Sequence, residues 1–160
     1  MPPEPIKRSR ALLPLSREHH VDLLLAWKIR KGLNNHAEYQ RMADYVKYLE
    51  ENLINEHFDD EEKLLFDLLP EEDKMCGNAR KEHKQIRYLI TEICDKKNYD
   101  NSLFRQLADL VEAHVRYEER ALFPYLEARL PEQKLEEVAK ILTEKHDVFN
   151  DIWQDTFWID

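Results

Sequence analysis

The sequence predicts an all-α protein: an up-down-up-down four-helix bundle with an additional C-terminal helix. The first observation is that only 2 of the 160 residues are glycine, so tight hairpins are scarce. The second is that apolar residues recur at helical spacing along stretches joined by short connections, which favours antiparallel neighbouring helices. The third is a repeated histidine–glutamate motif, which predicts that two helix pairs are related by a pseudo-twofold axis.

The first two helices are predicted from their end signals and apolar spacing. Ser16 is a candidate N-cap for a helix over residues 17–32, which Gly32 ends. A longer helix is predicted over residues 37–69, and Pro70 ends it because proline cannot continue a helix.

Three further helices are predicted in the second half of the chain. A helix over residues 78–96 follows an interruption at Gly77, and the next helix covers residues 103–129. The fifth helix is predicted over residues 132–155, and the aromatic tail at 156–160 is expected to dock on the bundle. All five belong to one domain over residues 1–160, in which 1–13 form a loose arm, 14–130 the four-helix bundle and 131–160 the fifth helix and tail.

Charge and hydropathy exclude several classes of partner. The net charge is −9 and no basic stripe accumulates, so nucleic acid is not an expected partner. There is no apolar run of membrane-spanning length and no signal-peptide pattern, so we expect a soluble cytoplasmic protein with no membrane partner. Cys76 and Cys94 lack CxxC spacing and are expected to be reduced.

The repeated motif places a histidine four residues before a glutamate. His57 precedes Glu61 and His114 precedes Glu118, each inside a ten-residue frame that ends in Phe. Residues four apart lie on one helix face, so each copy aims an imidazole and a carboxylate in the same direction. A single copy would be a common exposed pair in so acidic a chain, but two matching frames indicate metal ligands.

The other two bundle helices each offer an inward histidine. His83 has Ile86 and Ile90 on its helix face, which places it in the core. On the first helix we predict His20, because Leu23 and Trp27 follow it at the same spacings.

Two further histidines remain less certain ligands. His19 is the alternative to His20, because the Glu-His dipeptide Glu82-His83 would align with Glu18-His19. His146 on the fifth helix is expected to pack that helix on the bundle, with a role as a fifth imidazole ligand as the alternative.

The predicted inward set combines one histidine from each bundle helix with two carboxylates. Buried imidazoles and carboxylates need partners, and metal ions supply them. This donor set suits iron, manganese or zinc, and six ligands from four helices suggest two ions that each glutamate can bridge. The adjacent Glu62 and Glu119, turned about 100° around their helices, are expected to matter little for metal binding. The predicted metal ligands are His20, His57, Glu61, His83, His114 and Glu118.

The ordered pattern His…His-x-x-x-Glu…His…His-x-x-x-Glu resembles the hemerythrin-like family, the HHE cation-binding domains. The resemblance covers about residues 15–130, and the segments 15–20, 114–119 and 122–124 look especially like members of the family. It implies a four-helix bundle that holds a non-haem di-iron centre, whose open coordination positions bind oxygen or nitric oxide.

One departure from the family pattern bears on function. Oxygen-carrying hemerythrins have a second histidine four residues after the third-helix histidine and an aspartate ligand on the last helix, where this chain has Arg87 and Glu118. The chain thus resembles the branch linked to sensing of iron, oxygen, nitric oxide or redox state and to iron–sulfur repair. We expect a binding or sensing protein rather than an enzyme. The alternatives are a di-iron enzyme of cluster repair or of peroxide or nitric oxide detoxification, and a metal-free structural bundle.

Overall fold

Seven α-helices lie in the residues that the computed structural model describes, which are 7–95, 97, 99–145 and 148–159. No β-strand occurs in these ranges, so the all-α prediction is confirmed. The helices are α1 Leu13–Asn34, α2 Tyr39–Leu49, α3 Asn55–Asp60, α4 Lys74–Cys94, α5 Ser102–Tyr117, α6 Phe123–Arg129 and α7 Glu132–Lys145. Short helical turns join α2 to α3 and α5 to α6, so the seven helices form five continuous helical runs. The first four runs are the helices of the bundle, and the fifth is the additional C-terminal helix.

The second and fourth runs each contain wide π-helical turns. In the second run these are Glu50–Ile54 and Glu61–Leu65, followed by the 3₁₀ turn Phe66–Leu68. In the fourth run the π-helical turn is Glu118–Leu122. Two of the three therefore begin at the glutamates of the repeated motif, and such turns occur frequently at functional sites.

The bounds of three helices differ from the prediction. The first helix, α1, runs from Leu13 to Asn34, so Ser16 does not cap it and Gly32 does not end it. The third bundle helix, α4, begins at Lys74 rather than at residue 78, because the Asp73 side chain accepts a hydrogen bond of 2.9 Å from the Cys76 backbone N–H. Gly77 therefore lies inside the helix, where nothing lies within 4 Å of the position of a Cβ atom. The C-terminal helix α7 ends at Lys145 rather than at 155, and residues 148–159 form no helix.

The N-terminal arm is packed rather than loose in its described part, residues 7–13. The Arg8 side chain is 5% exposed and forms ion pairs with Glu119 at 2.8 Å and Glu127 at 2.7 Å. Ala11 and Leu12 are buried. The prediction of a loose arm missed this because the acidic partners of Arg8 are more than a hundred residues away.

The C-terminal tail docks on α1 and α2. Phe157 is 1% exposed, and a Cβ atom at Gly32 would lie only 2.8 Å from its ring and 2.7 Å from Met42 Sδ. Gly32 therefore gives the tail room to approach α1. Ion pairs between Lys28 on α1 and Asp151, and between Arg41 on α2 and Asp155, also connect the tail to both helices.

Two apolar clusters fill the bundle, one toward each end. Along α1 the first cluster begins at Leu25 and the second ends at Leu15, and His19 lies between them. His83 lies in the same way between Ala79 and Ile86 on α4. The histidines of the pattern thus occupy a polar layer between two apolar ends. None of the helices in the described ranges combines the length and hydropathy needed to cross a lipid bilayer.

We expect Phe157→Ala to lower the free energy of unfolding by about 3 kcal/mol, because it removes a buried aromatic ring from the tail contact. Urea unfolding followed by circular dichroism measures the change. Ile152→Ala is the matched control in the same tail, since Ile152 is 69% exposed and its removal should cost little. Equal losses in the two variants would contradict the docking of the tail through Phe157.

Candidate metal centre

Four histidines and two glutamates converge in the polar layer of the bundle. All six side chains are buried, with exposures between 0% and 2%. They form two groups, in each of which the potential ligand atoms all lie within 4.8 Å of one another. Both glutamates belong to both groups. One group is His19, His57, Glu61 and Glu118, and the other is Glu61, His83, His114 and Glu118.

The repeated motif produces the same local geometry twice. His57 on α3 and Glu61, which begins a π-helical turn, approach each other at 3.1 Å between Nε2 and Oε1. His114 on α5 and Glu118, which begins the equivalent turn, approach at 3.0 Å between the same atoms. The helical spacing of four residues therefore brings each imidazole against its own carboxylate, as the sequence predicts.

The prediction of an inward His20 needs correction, because the structure turns His19 inward instead. His19 is 2% exposed and its Nε2 lies 3.0 Å from Glu118 Oε1, whereas His20 is exposed and lines a surface cavity with Val21. The apolar residues that favoured His20 misled the prediction: Leu23 is 39% exposed and Trp27 49%. The shared Glu-His dipeptide was the correct signal. His146 lies outside the described residues.

Four further carboxylates, which the sequence analysis did not assign to the site, contact the outer nitrogen of each imidazole. Such outer partners orient a metal-binding histidine and fix its tautomer. An imidazole that donates from Nδ1 keeps the lone pair of Nε2 free for an ion. The contacts to Nδ1 are Glu119 to His19 at 3.0 Å, Glu18 to His57 at 2.9 Å, Glu62 to His83 at 2.7 Å and Glu82 to His114 at 2.8 Å.

These outer contacts follow the pseudo-twofold symmetry of the chain. The glutamate before His19 holds His57, and the glutamate before His83 holds His114. The glutamates after Glu61 and Glu118 hold His83 and His19. The Glu-His and Glu-Glu dipeptides that recur in the sequence therefore each combine an inner residue with an outer one. The expectation that Glu62 and Glu119 matter little is not supported by their positions.

Several inner atoms lack a hydrogen-bond partner among the described residues. These atoms are Nε2 of His57, His83 and His114, both carboxylate oxygens of Glu61, and Oε2 of Glu118. Although Nε2 of His57 and Nε2 of His83 lie 3.1 Å and 3.3 Å from Glu61 Oε1, these pairs are not aligned for hydrogen bonding. Unpaired buried polar atoms are costly, and cations at the centre would satisfy them. The six residues present therefore fit a pair of metal ions.

Electrostatics favour the charged forms of His19, His114 and Glu118. Burial alone would lower the pKa of His19, but hydrogen bonds to Glu118 and Glu119 outweigh it and raise the pKa to about 9. Burial likewise opposes protonation of His114, yet Glu118 and Glu82 raise its pKa to about 10. Burial would raise the pKa of Glu118, but the surrounding imidazoles hold it well below its ordinary value.

We expect the metal-free protein to lose stability as the pH rises from 6.5 toward 10. The folded pKa values of His19 and His114, about 9 and about 10, exceed the ordinary value of 6.5. Their stabilising contribution is therefore fully present below pH 6.5 and is lost as the pH passes through the folded values. Thermal unfolding in a metal chelator at several pH values measures this. In His19→Gln the decline should be shallower, and an unfolding temperature that rises over this range would contradict the argument.

One family model matches the chain. The hemerythrin HHE cation-binding domain matches residues 95–156, a segment that contains His114 and Glu118 but begins after the other four inner residues. No curated protein and no solved structure matches this chain. The buried histidine–glutamate groups, which could hold metal ions, agree with the cation-binding description of this family. The resemblance of this chain to the hemerythrin-like family is therefore confirmed over residues 95–156, which are less than half of the chain.

Proposed function

We propose that this protein holds two non-haem iron ions in the six-residue centre and that the pair binds or senses oxygen, nitric oxide or redox state. The observation that carries the proposal is that two four-residue groups share Glu61 and Glu118. Each glutamate has two oxygens and lies within reach of both groups, which is the arrangement that bridges two cations. The proposed ligands are His19, His57, Glu61, His83, His114 and Glu118.

The donor types favour iron over the other candidates. Imidazole and carboxylate donors suit iron, manganese and zinc, and neither of the two cysteines belongs to the ligand groups. A structural zinc site closes with four ligands around one ion, whereas six residues that share two carboxylates leave coordination positions open. When bound, the iron pair would supply a change of redox state and positions for a small diatomic ligand.

The chain itself orients the donors and excludes water. Glu18, Glu62, Glu82 and Glu119 accept from the Nδ1 atoms and so direct each Nε2 inward. Phe58 stacks on His83 with 3.9 Å between ring centroids, and Phe123 stacks on His19 at 5.4 Å. The aromatic rings fix the planes of two imidazoles and close the layer toward the apolar clusters.

The surroundings of Arg87 favour sensing over reversible oxygen carriage. Its Nη2 donates to Asp59 Oδ1 at 3.0 Å and to the Asn55 carbonyl at 3.3 Å, and its guanidinium lies 5.4 Å from the Phe58 ring centre. The side chain thus packs against α3. It supplies no imidazole at the position where oxygen-carrying hemerythrins have their additional histidine.

The proposal predicts two iron ions per chain after anaerobic loading. Metal analysis of the desalted protein measures the stoichiometry. Uptake at pH 7 should release protons, because the imidazoles that bind iron are protonated in the metal-free protein. Nitric oxide should then change the electronic spectrum of the reduced, loaded protein and leave that of the metal-free protein unchanged. A fully loaded sample with a single tetrahedral zinc ion would refute the di-iron proposal.

Substitutions of the glutamates test whether the inner carboxylates contribute more to metal binding than the outer ones. Glu61→Ala and Glu118→Ala should abolish binding of most of the metal, because each is proposed to contact both ions. Glu62→Ala should weaken metal binding about 10–100-fold, since it removes the support of one imidazole. Glu51→Ala, an exposed change in the same helical run, is the control and should have no effect. Retention of both ions by Glu61→Ala would contradict a bridging role.

A further inference from the structure

A further buried acid, Asp22, lies beside the candidate metal centre. Asp22 is on α1, three residues after His19, and is 6% exposed. Its Oδ1 atom has no hydrogen-bond partner among the described residues. Asp22 belongs to neither group of potential ligands. A carboxyl group in this position is costly unless it interacts with something that binds there.

The pseudo-twofold symmetry shows that the fold does not require an acid at this position. His83 is the symmetry equivalent of His19, and the residue three positions after it is Ile86. Ile86 is 1% exposed and belongs to the apolar cluster on that side of the layer. The same location is thus filled by a hydrocarbon side chain in one half and by a carboxyl group in the other.

Asp22 lies about one helical turn from His19 on α1 and interacts electrostatically with three of the four imidazoles. Burial raises its pKa to about 6, while the positive charges of His57, His19 and His114 act in the opposite direction. His19 and His57 are the two imidazoles of one ligand group, and the neighbour beyond Asp22 on the inner face of α1 is Leu25 of the apolar cluster. Asp22 therefore lies at the border between the donors of that group and the apolar end of the bundle.

We infer that Asp22 is a specificity-determining residue of the ligand pocket, which disfavours anions and favours uncharged ligands at the half formed by His19 and His57. This inference rests on the proposed function. A fixed negative charge in a site that excludes water repels an incoming anion strongly, because little solvent screens the interaction. An uncharged diatomic molecule experiences no such repulsion.

The test compares an anion with an uncharged ligand on the same iron-loaded protein. Azide is titrated into the oxidised protein and nitric oxide into the reduced protein, and absorbance gives both dissociation constants. Asp22→Asn and Asp22→Ile remove the charge, and the second introduces the residue that occupies the symmetry-related position. Asp44→Asn is the control, because it removes the charge of an exposed aspartate on α2.

We expect both Asp22 variants to retain two iron ions and to bind azide about tenfold more tightly or better, with the affinity for nitric oxide changed by less than about threefold. Asp44→Asn should match the wild type in both measurements. Thermal unfolding of the metal-free variants provides a readout that is independent of iron, and both should unfold cooperatively. If only one variant folds, its azide affinity decides the question.

Three results would overturn the inference. Azide affinity within about twofold of the wild type in an iron-loaded Asp22 variant would show that the charge does not act on the ligand. Loss of iron from both variants would assign Asp22 to metal retention rather than to ligand choice. Failure of the wild type itself to take up two ions would refute the proposed function, and with it this inference, whereas the first two results leave the proposed function intact.

Discussion

The burial of four imidazoles and two carboxylates in one layer is the constraint on which the rest of this structure depends. Such groups are stable in a bundle interior only if every polar atom has a partner. On the outer side the partners are four glutamates, one for each Nδ1 atom. On the inner side His19 Nε2 contacts Glu118 Oε1, but most of the other inner atoms have no hydrogen-bond partner among the described residues, and cations are the partners that fit. The apolar clusters then close the layer from both ends.

The π-helical turns allow one helical run to contribute both to the polar layer and to the apolar cluster next to it. Each motif glutamate begins a turn in which the helix widens, so the residues that follow are rotated relative to a continuous α-helix. Leu65 and Leu122, at the ends of these turns, are fully buried in the second apolar cluster, which also contains Leu15. The same helical run therefore presents a carboxylate to the centre and, one turn later, a leucine to the core.

Much of this architecture could be predicted from local sequence signals, and the predictions that were wrong have identifiable causes. The motif predicted His57, Glu61, His114 and Glu118 because residues four apart share a helix face. The apolar spacing that located His83 failed for His20, because the stripe containing Leu23 and Trp27 faces solvent. Spacing reports which residues share a face and cannot report which face is covered. The spacing of residues in the sequence also gives no sign of the π-helical turns or of the ion pairs of Arg8 with residues far away in the chain.

The four outer glutamates differ in whether the histidine that they contact belongs to their own helix pair or to the other one. Glu18 and Glu82 hold histidines within their own helix pair, whereas Glu62 and Glu119 hold histidines of the other pair. A single helix hairpin of this type would carry two histidines, one inner carboxylate and only half of the outer contacts that its histidines need. Two identical hairpins related by a twofold axis would complete every contact. The centre thus has the construction of a symmetric homodimer joined into one chain, and the two halves differ where Asp22 lies opposite Ile86.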